Sequence, residues 1–138
     1  MKWVRRGMLL FCCLALSACA AQRQINMGYD FDRSVKEFNR MLRWREIETA
    51  GMTYMDQEHR DEFLKQAEKL KKRGISITDF RIISKQYFPE QKTGDVIAEF
   101  DYYILPSNRI KTISYRQEWL YQESTKSWKL KNGLEPFE

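Results

Sequence analysis

Few side chains in this sequence have the type and spacing that chemistry needs. The single histidine, His59, stands among Asp56, Glu58, Asp61 and Glu62. A helix through this stretch brings Asp56 and Glu62, three residues away, toward the imidazole and turns Glu58 and Asp61 to other faces. A histidine without an orienting partner or a neighbouring thiolate makes neither a metal centre nor a nucleophile relay, so His59 reads as a surface or cap-adjacent residue. The second set is aromatic. Tyr102, with Tyr115 and Tyr54, would serve as the acid of an acid/base pair only if a carboxylate faced it. Asp101 falls on the opposite side of any strand that holds both, because successive strand residues alternate faces. The inner surface is therefore expected to lack a carboxylate, and the tyrosines read as core or ligand-pocket aromatics. Catalytic residue, metal site and cofactor are each assigned as none. Glycine-rich phosphate loops, CxxC pairs, repeats and low-complexity tracts are absent from the sequence.

Cysteine is the other reactive type, and all three lie at the front: Cys12, Cys13 and Cys19. Lys2, Arg5 and Arg6 precede an apolar run from Met8 to Leu16, the layout of a cleavable secretory leader over residues 1–18. The run is far short of the roughly 20 apolar residues that span a bilayer. Its end, Leu16-Ser17-Ala18-Cys19, resembles the bacterial lipobox, at which the leader is cut and the cysteine lipidated. The resemblance implies a lipid-anchored protein of the cell envelope held through Cys19, where two or three acyl chains (palmitate among them) each add about 0.8 kcal/mol per buried CH₂. Ala20, where aspartate is the familiar inner-membrane retention signal, implies the outer membrane, facing the periplasm, if the host is Gram-negative. With Cys12 and Cys13 leaving and Cys19 capped, the mature domain carries no thiol chemistry.

The leader also changes the charge. The chain has 24 basic and 19 acidic residues, and three of the basic ones are in the leader, which leaves a mature net charge near +2. So small an excess gives no reason to expect nucleic acid as a partner. About 120 mature residues suit one domain with a modest core.

The elements that would position these groups follow from periodicity. Residues 19–28 are polar and patternless and read as the lipidated N-terminus and tether, ahead of a single domain over 29–138. Phe31, Val35, Phe38 and Leu42 recur at helical spacing behind a capping box at Ser34-Val35-Lys36-Glu37, or a turn earlier behind Asp30 or Asp32. A short second helix runs to Tyr54, and a third from about Asp56 to Arg73 carries Phe63, Ala67 and Leu70 on one face, with Gly74 placed to end it. Lys65, Lys69, Lys71, Lys72 and Arg73 crowd its end as a solvated cap, anionic lipid headgroups being the alternative contact. After Gly74 the period becomes 2, predicting strands at about 75–87, 95–105, 110–122 and 127–132.

Matching apolar faces sets the registers. The second and third strands pair Tyr102 with Ile113, Phe100 with Tyr115 and Val96 with Trp119, leaving Glu99 opposite Arg116. The last hairpin pairs Tyr121 with Trp128, Trp119 with Leu130 and Glu118 with Lys131. The first pairs Ile82 with Phe100 and Arg81 with Asp101. Helices first and an antiparallel meander after predict an α+β fold, its curved four-stranded sheet wrapped around the first long helix.

In this arrangement the chain resembles the nuclear transport factor 2-like superfamily (a cystatin-like α+β cone). The resemblance spans about Met27 to Leu134. It rests on Phe38-Asn39-Arg40-Met41-Leu42-Arg43-Trp44, the bend at Ile47 to Ala50, the helix through Phe63, Ile77-Thr78-Asp79-Phe80-Arg81, Trp119, and Trp128-Lys129-Leu130. Gly51 to Met55 is too short for the β-hairpin that many members insert there, with room for a short strand. The superfamily includes isomerases, dehydratases, carriers and structural binding modules, so the fold leaves activity open. The expected function is a non-catalytic binding or assembly module with a protein partner in the envelope, contacted through edge strands or an open cone mouth. The alternative is a carrier or sensor of a small apolar ligand, and an isomerase or dehydratase comes third. Phe38, Trp44, Phe100, Tyr102, Tyr115, Gln117 and Trp119 are the candidates to line such a pocket. Gln117 either faces it or marks where the sheet leaves the core.

Overall fold

A computed structural model describes residues 2–134 and 137, with side chains from Ala21 onward. Cys19 and the leader lie outside the residues whose side chains are described. Three helices, α1 (Lys2–Arg43), α2 (Ile47–Tyr54) and α3 (Arg60–Lys72), precede four strands, β1 (Ile75–Phe88), β2 (Thr93–Ile104), β3 (Lys111–Gln122) and β4 (Ser127–Leu130). The strands form one antiparallel sheet in chain order, against which the helices pack. Among the described residues no helix is long and apolar enough to cross a membrane.

The apolar stripe of α1 is the expected one: Phe31, Val35, Phe38 and Leu42 are buried. The helix does not begin at Ser34, however. It runs through the stretch read as a tether, and Met27 is already buried at 5% exposure. Once a packed turn exists, each further residue adds a hydrogen bond without repeating the cost of nucleation, so a polar stretch of good helix formers extends the helix. Glu37, released from the cap, instead accepts from Arg40 Nε at 3.0 Å.

Each helix stops for a local reason. At the end of α1 the Glu46 amide donates to the Met41 carbonyl and the Arg45 amide to that of Leu42, a Schellman closure with Arg45 at φ 64°. Gly74, at φ 68°, ends α3 as its sequence position predicts. The start of α3 falls at Arg60 rather than near Asp56, because a turn over residues 57–59 intervenes. Ahead of it, Met55 makes an isolated parallel bridge to Leu130, in the place where the sequence leaves room for a short strand.

The faces of the sheet match expectation, while two of the three registers do not. Val96, Ala98, Phe100 and Tyr102 of β2 and Tyr115, Gln117 and Trp119 of β3 all face the core. Yet Phe100 lies opposite Ile113, Ala98 opposite Tyr115, Gly94 opposite Trp119, and Ile97 instead of Glu99 opposite Arg116. The offset is two residues, which preserves both faces, so alternation cannot distinguish the registers. Volume does. The observed one sets the largest rings against the smallest residues, as interdigitating layers require. The Phe31 ring occupies the space above Gly94, where a Cβ would stand 2.4 Å from its Cζ. Gly94→Ala is therefore expected to destabilise the domain by about 1–3 kcal/mol through overpacking, read as a lowered thermal midpoint.

In the first hairpin Ile82 lies opposite Ala98 and Arg81 opposite Glu99, two residues from the expected pairing, and bulges between Ile77 and Asp79 and between Ile82 and Ser84 each insert a residue in β1. A bulge turns the strand locally. Phe80 takes the place expected for Ile82, its ring 6.1 Å from that of Phe100. The last hairpin is as expected, with Tyr121 opposite Trp128 and Trp119 opposite Leu130. The Lys131 amide also donates to the Glu118 carbonyl at 2.8 Å.

On the outer face Arg81 bridges two carboxylates, Glu99 at 3.1 Å and Asp101 at 2.8 Å. Hydrogen bonds from Arg81 and then Thr112 hold the Asp101 carboxyl below its ordinary 3.8, against a smaller opposing effect of burial. Because the folded state lowers this pKa, the associated stability is present above the ordinary aspartate range and is lost as pH falls through the folded value. A carboxyl titration followed by NMR should give Asp101 a midpoint below 3.8 that moves back toward it in Arg81→Gln.

Candidate functional site

The aromatic residues singled out as pocket lining converge between α1 and the sheet. Phe38, Phe100, Tyr102, Tyr115 and Trp119 are all buried. The Phe38 ring meets Trp119 edge-on at 5.6 Å and Tyr115 at 6.4 Å, and Phe100 lies 6.3 Å from Tyr115. Such tilted and edge contacts are favourable ring packings. The cluster is closed by a residue from the far end of the chain, Phe137. Its ring is fully buried, 5.0 Å from Tyr102 and 6.1 Å from Phe100, and Arg73 Nη1 donates to its carbonyl oxygen at 2.5 Å. These rings thus pack against one another in the region named as possible pocket lining.

Trp44 does not belong to this set. It follows the last residue of α1, where Arg45 turns the chain back, and it is 61% exposed with the Arg43 guanidinium 4.8 Å above its ring. A stacked cation and a solvated position replace the expected lining role.

Gln117 does not mark where the sheet leaves the core. It is fully buried and exchanges hydrogen bonds with Asn39 of α1: Gln117 Nε2 donates to Asn39 Oδ1 at 2.6 Å, and Asn39 Nδ2 donates to Gln117 Oε1 at 3.2 Å. Asn39 Nδ2 also donates to the Val35 carbonyl at 2.8 Å, and Trp119 Nε1 to Gln117 Oε1 at 3.3 Å. Both amides are satisfied, as burial demands. Asn39 escaped the reading of the sequence, although the signal was present: it sits one turn after Val35 on the apolar stripe, as Gln117 interrupts the apolar row of β3. Two polar interruptions on facing apolar surfaces indicate a pair.

His59 lies where a cap-adjacent histidine would. Asp56 Oδ1 accepts from the His59 backbone amide at 2.9 Å and stands 2.8 Å from its Nδ1, so the carboxylate organises the turn into α3. Ligand-type atoms of Asp56, Glu58 and His59 lie within 4.8 Å of one another. Asp101, as expected, faces away from Tyr102 toward Arg81 and Thr112.

Clefts open elsewhere on the surface. One of about 600 Å³ runs along α3 between Gln66, Lys69, Leu70, Arg73 and Leu134. Another, of about 470 Å³, lies between α1 and β4, lined by Arg33, Glu37, Tyr54 and Lys129. At its rim burial pushes the Tyr54 hydroxyl up and the Lys129 ammonium down, and Lys129 Nζ donates to the Thr53 carbonyl at 2.6 Å.

No protein-family model matches the chain, and no curated protein matches its sequence. Among solved structures, the intermembrane space region of the chloroplast protein ARC6 is similar at 14% identity, covering 73% of this chain and 95% of that one, with a TM-score of 0.49.

Proposed function

We propose that this chain is a membrane-tethered assembly module of the cell envelope, a helix-on-sheet domain of the nuclear transport factor 2-like kind that engages a protein partner through its surface. The observation that supports the reading is the interior: the rings of Phe38, Phe100, Tyr115, Trp119 and Phe137 pack against one another, and two of its buried polar residues, Asn39 and Gln117, satisfy each other. A carrier would need room between those rings, and Phe38, Tyr115, Trp119 and Phe100 meet at centroid separations of 5.6, 6.3 and 6.4 Å; an acid/base enzyme would need a carboxylate beside Tyr102, and Asp101 faces away toward Arg81.

The tether in this reading is Cys19, lipidated after cleavage at Leu16-Ser17-Ala18-Cys19. In a Gram-negative host the anchor would sit in the outer membrane and the domain in the periplasm. Two experiments test the reading. Wild-type chain should partition quantitatively with membranes and Cys19→Ser should be released into the soluble fraction; a Cys19→Ser chain that stays with membranes overturns the anchor. Crosslinking in native membranes should recover a heterologous adduct, whereas recovery of monomer alone overturns the module.

A further inference from the structure

The sheet has two edges, and they are not alike. β1 forms one, and it carries the features that keep an edge from pairing with another chain: bulges between Ile77 and Asp79 and between Ile82 and Ser84, and the charged side chains Asp79, Arg81 and Lys85. The other edge is shared. β4 pairs only with Trp119 to Gln122 of β3, and the chain just beyond it reaches two further positions. The Lys131 amide donates to the Glu118 carbonyl at 2.8 Å, while the Asn132 carboxamide accepts from the Glu118 amide at 2.8 Å and donates to the Arg116 carbonyl at 2.6 Å. The Asn132 side chain thus stands where the next peptide of β4 would. The backbone then leaves the sheet, for the Leu134 amide donates to Gln66 Oε1 of α3 at 2.9 Å.

What remains of this edge is the first half of β3. Glu118 and Arg116 turn main-chain groups toward the β4 side, and the period of two directs those of Ser114 and Thr112 the same way. Among the described residues nothing bonds to the Thr112 or Ser114 main chain on that side. Both residues are exposed and uncharged, and the pairing of β3 with β2 runs through them without a bulge. A regular, uncharged edge is a template for another strand.

We infer that this edge pairs with the same edge of a second copy of the chain, antiparallel about a two-fold axis at Ile113. The free groups set the register. Centring on Ile113 places Thr112 opposite Ser114 of the second copy, and Ser114 opposite its Thr112. Centring on Ser114 would set Thr112 against Arg116, whose carbonyl Asn132 already holds, and centring on Thr112 would set Ser114 against Ile110, ahead of the strand. Each pairing of Thr112 with Ser114 exchanges both main-chain hydrogen bonds and sets two hydroxyl side chains side by side. Ile113 meets itself and Lys111 meets Tyr115, so no like charges face one another. The added strand lies in line with β4, in the lane that opens where Asn132 ends. About five residues a side make a small and reversible interface, which a covalent trap reads.

The test uses the full chain in its own host, oxidised after Ile113→Cys or, on the guarded edge, Ile83→Cys, with the unaltered chain as background. Facing residues of a non-hydrogen-bonded antiparallel pair stand about 4.5 Å apart at Cα, within the span of a disulfide. Ile113→Cys is expected to give a dimer whose linked peptides both contain position 113, read by mass spectrometry, at about tenfold the yield from Ile83→Cys. Adding Ser114→Pro should cut that yield about tenfold and leave the thermal midpoint in place, because the lost N–H points away from β2. Equal yields from the two positions overturn the pairing, as does a dimer that Ser114→Pro leaves intact or linkage of position 113 to a different protein. None of these results touches the assembly module, which stands on its own heterologous adduct. Should Ser114→Pro fail to fold, hydrogen exchange on the unaltered chain decides. The Thr112 and Ser114 amides should exchange more slowly as protein concentration rises, and exchange that ignores concentration overturns the pairing.

Discussion

Replacing Phe137 with alanine is expected to lower the unfolding free energy by about 3–5 kcal/mol, the range for emptying a fully buried phenylalanine site. The loss has two parts. The ring's transfer out of water is forfeited, and the space between Phe100 and Tyr102 stays partly open because those rings are held by strand neighbours. Against a total stability of roughly 5–15 kcal/mol for a domain, this is a large fraction. Urea unfolding monitored by circular dichroism measures it. A loss below about 1 kcal/mol would mean that Phe137 does not plug the interior, and the argument against a ligand carrier would fall with it. The variant also offers a direct check. If the space it opens admits a small apolar molecule, the unfolding midpoint of Phe137→Ala should rise with that molecule's concentration while the wild-type midpoint stays put.

The second large effect concerns the buried amides. Gln117→Leu strands Asn39 Oδ1 and the Trp119 indole N–H in the core, while Asn39 Nδ2 keeps the Val35 carbonyl, and a stranded buried polar group costs about 1–3 kcal/mol. Asn39→Leu strands the Gln117 Nε2 donor in the same way. The double variant should cost less than the sum of the singles by about 1–2 kcal/mol, since each change removes the partner that the other leaves unpaired. Additive losses would show that the two amides are not coupled. The pair also has a structural use. It ties the C-terminal part of α1 to the middle of β3 at one fixed point, and apolar packing alone would resist sliding between them less specifically.

These residues also show how far the sequence could be read. Strand parity came through intact because alternation has a period of two and the inward residues of β2 and β3 are unmistakably apolar or aromatic. Register did not, because a slip of two residues leaves parity unchanged; Gly94 beneath Phe31 and Ala98 opposite Tyr115 decide it, and both depend on volumes supplied by other elements. The first hairpin was out of reach for a further reason: its two bulges are set by how β1 meets α1 and β2, and nothing local at Thr78 or Ile83 announces an extra residue. Trp44 falls outside the interior because the chain reverses just after Arg43, through an arginine in the conformation usually left to glycine.

What the sequence determined by itself is the order and type of the elements, the faces they bury and the absence of thiols beyond residue 19. Those properties are local: period, helix ends and composition carry them. Tertiary structure alone decided which aromatic rings meet, that Asn39 answers Gln117 across 78 residues, and that Phe137 from the chain's far end closes the interior. Each of those depends on the volume left by distant elements, which no spacing along the chain encodes.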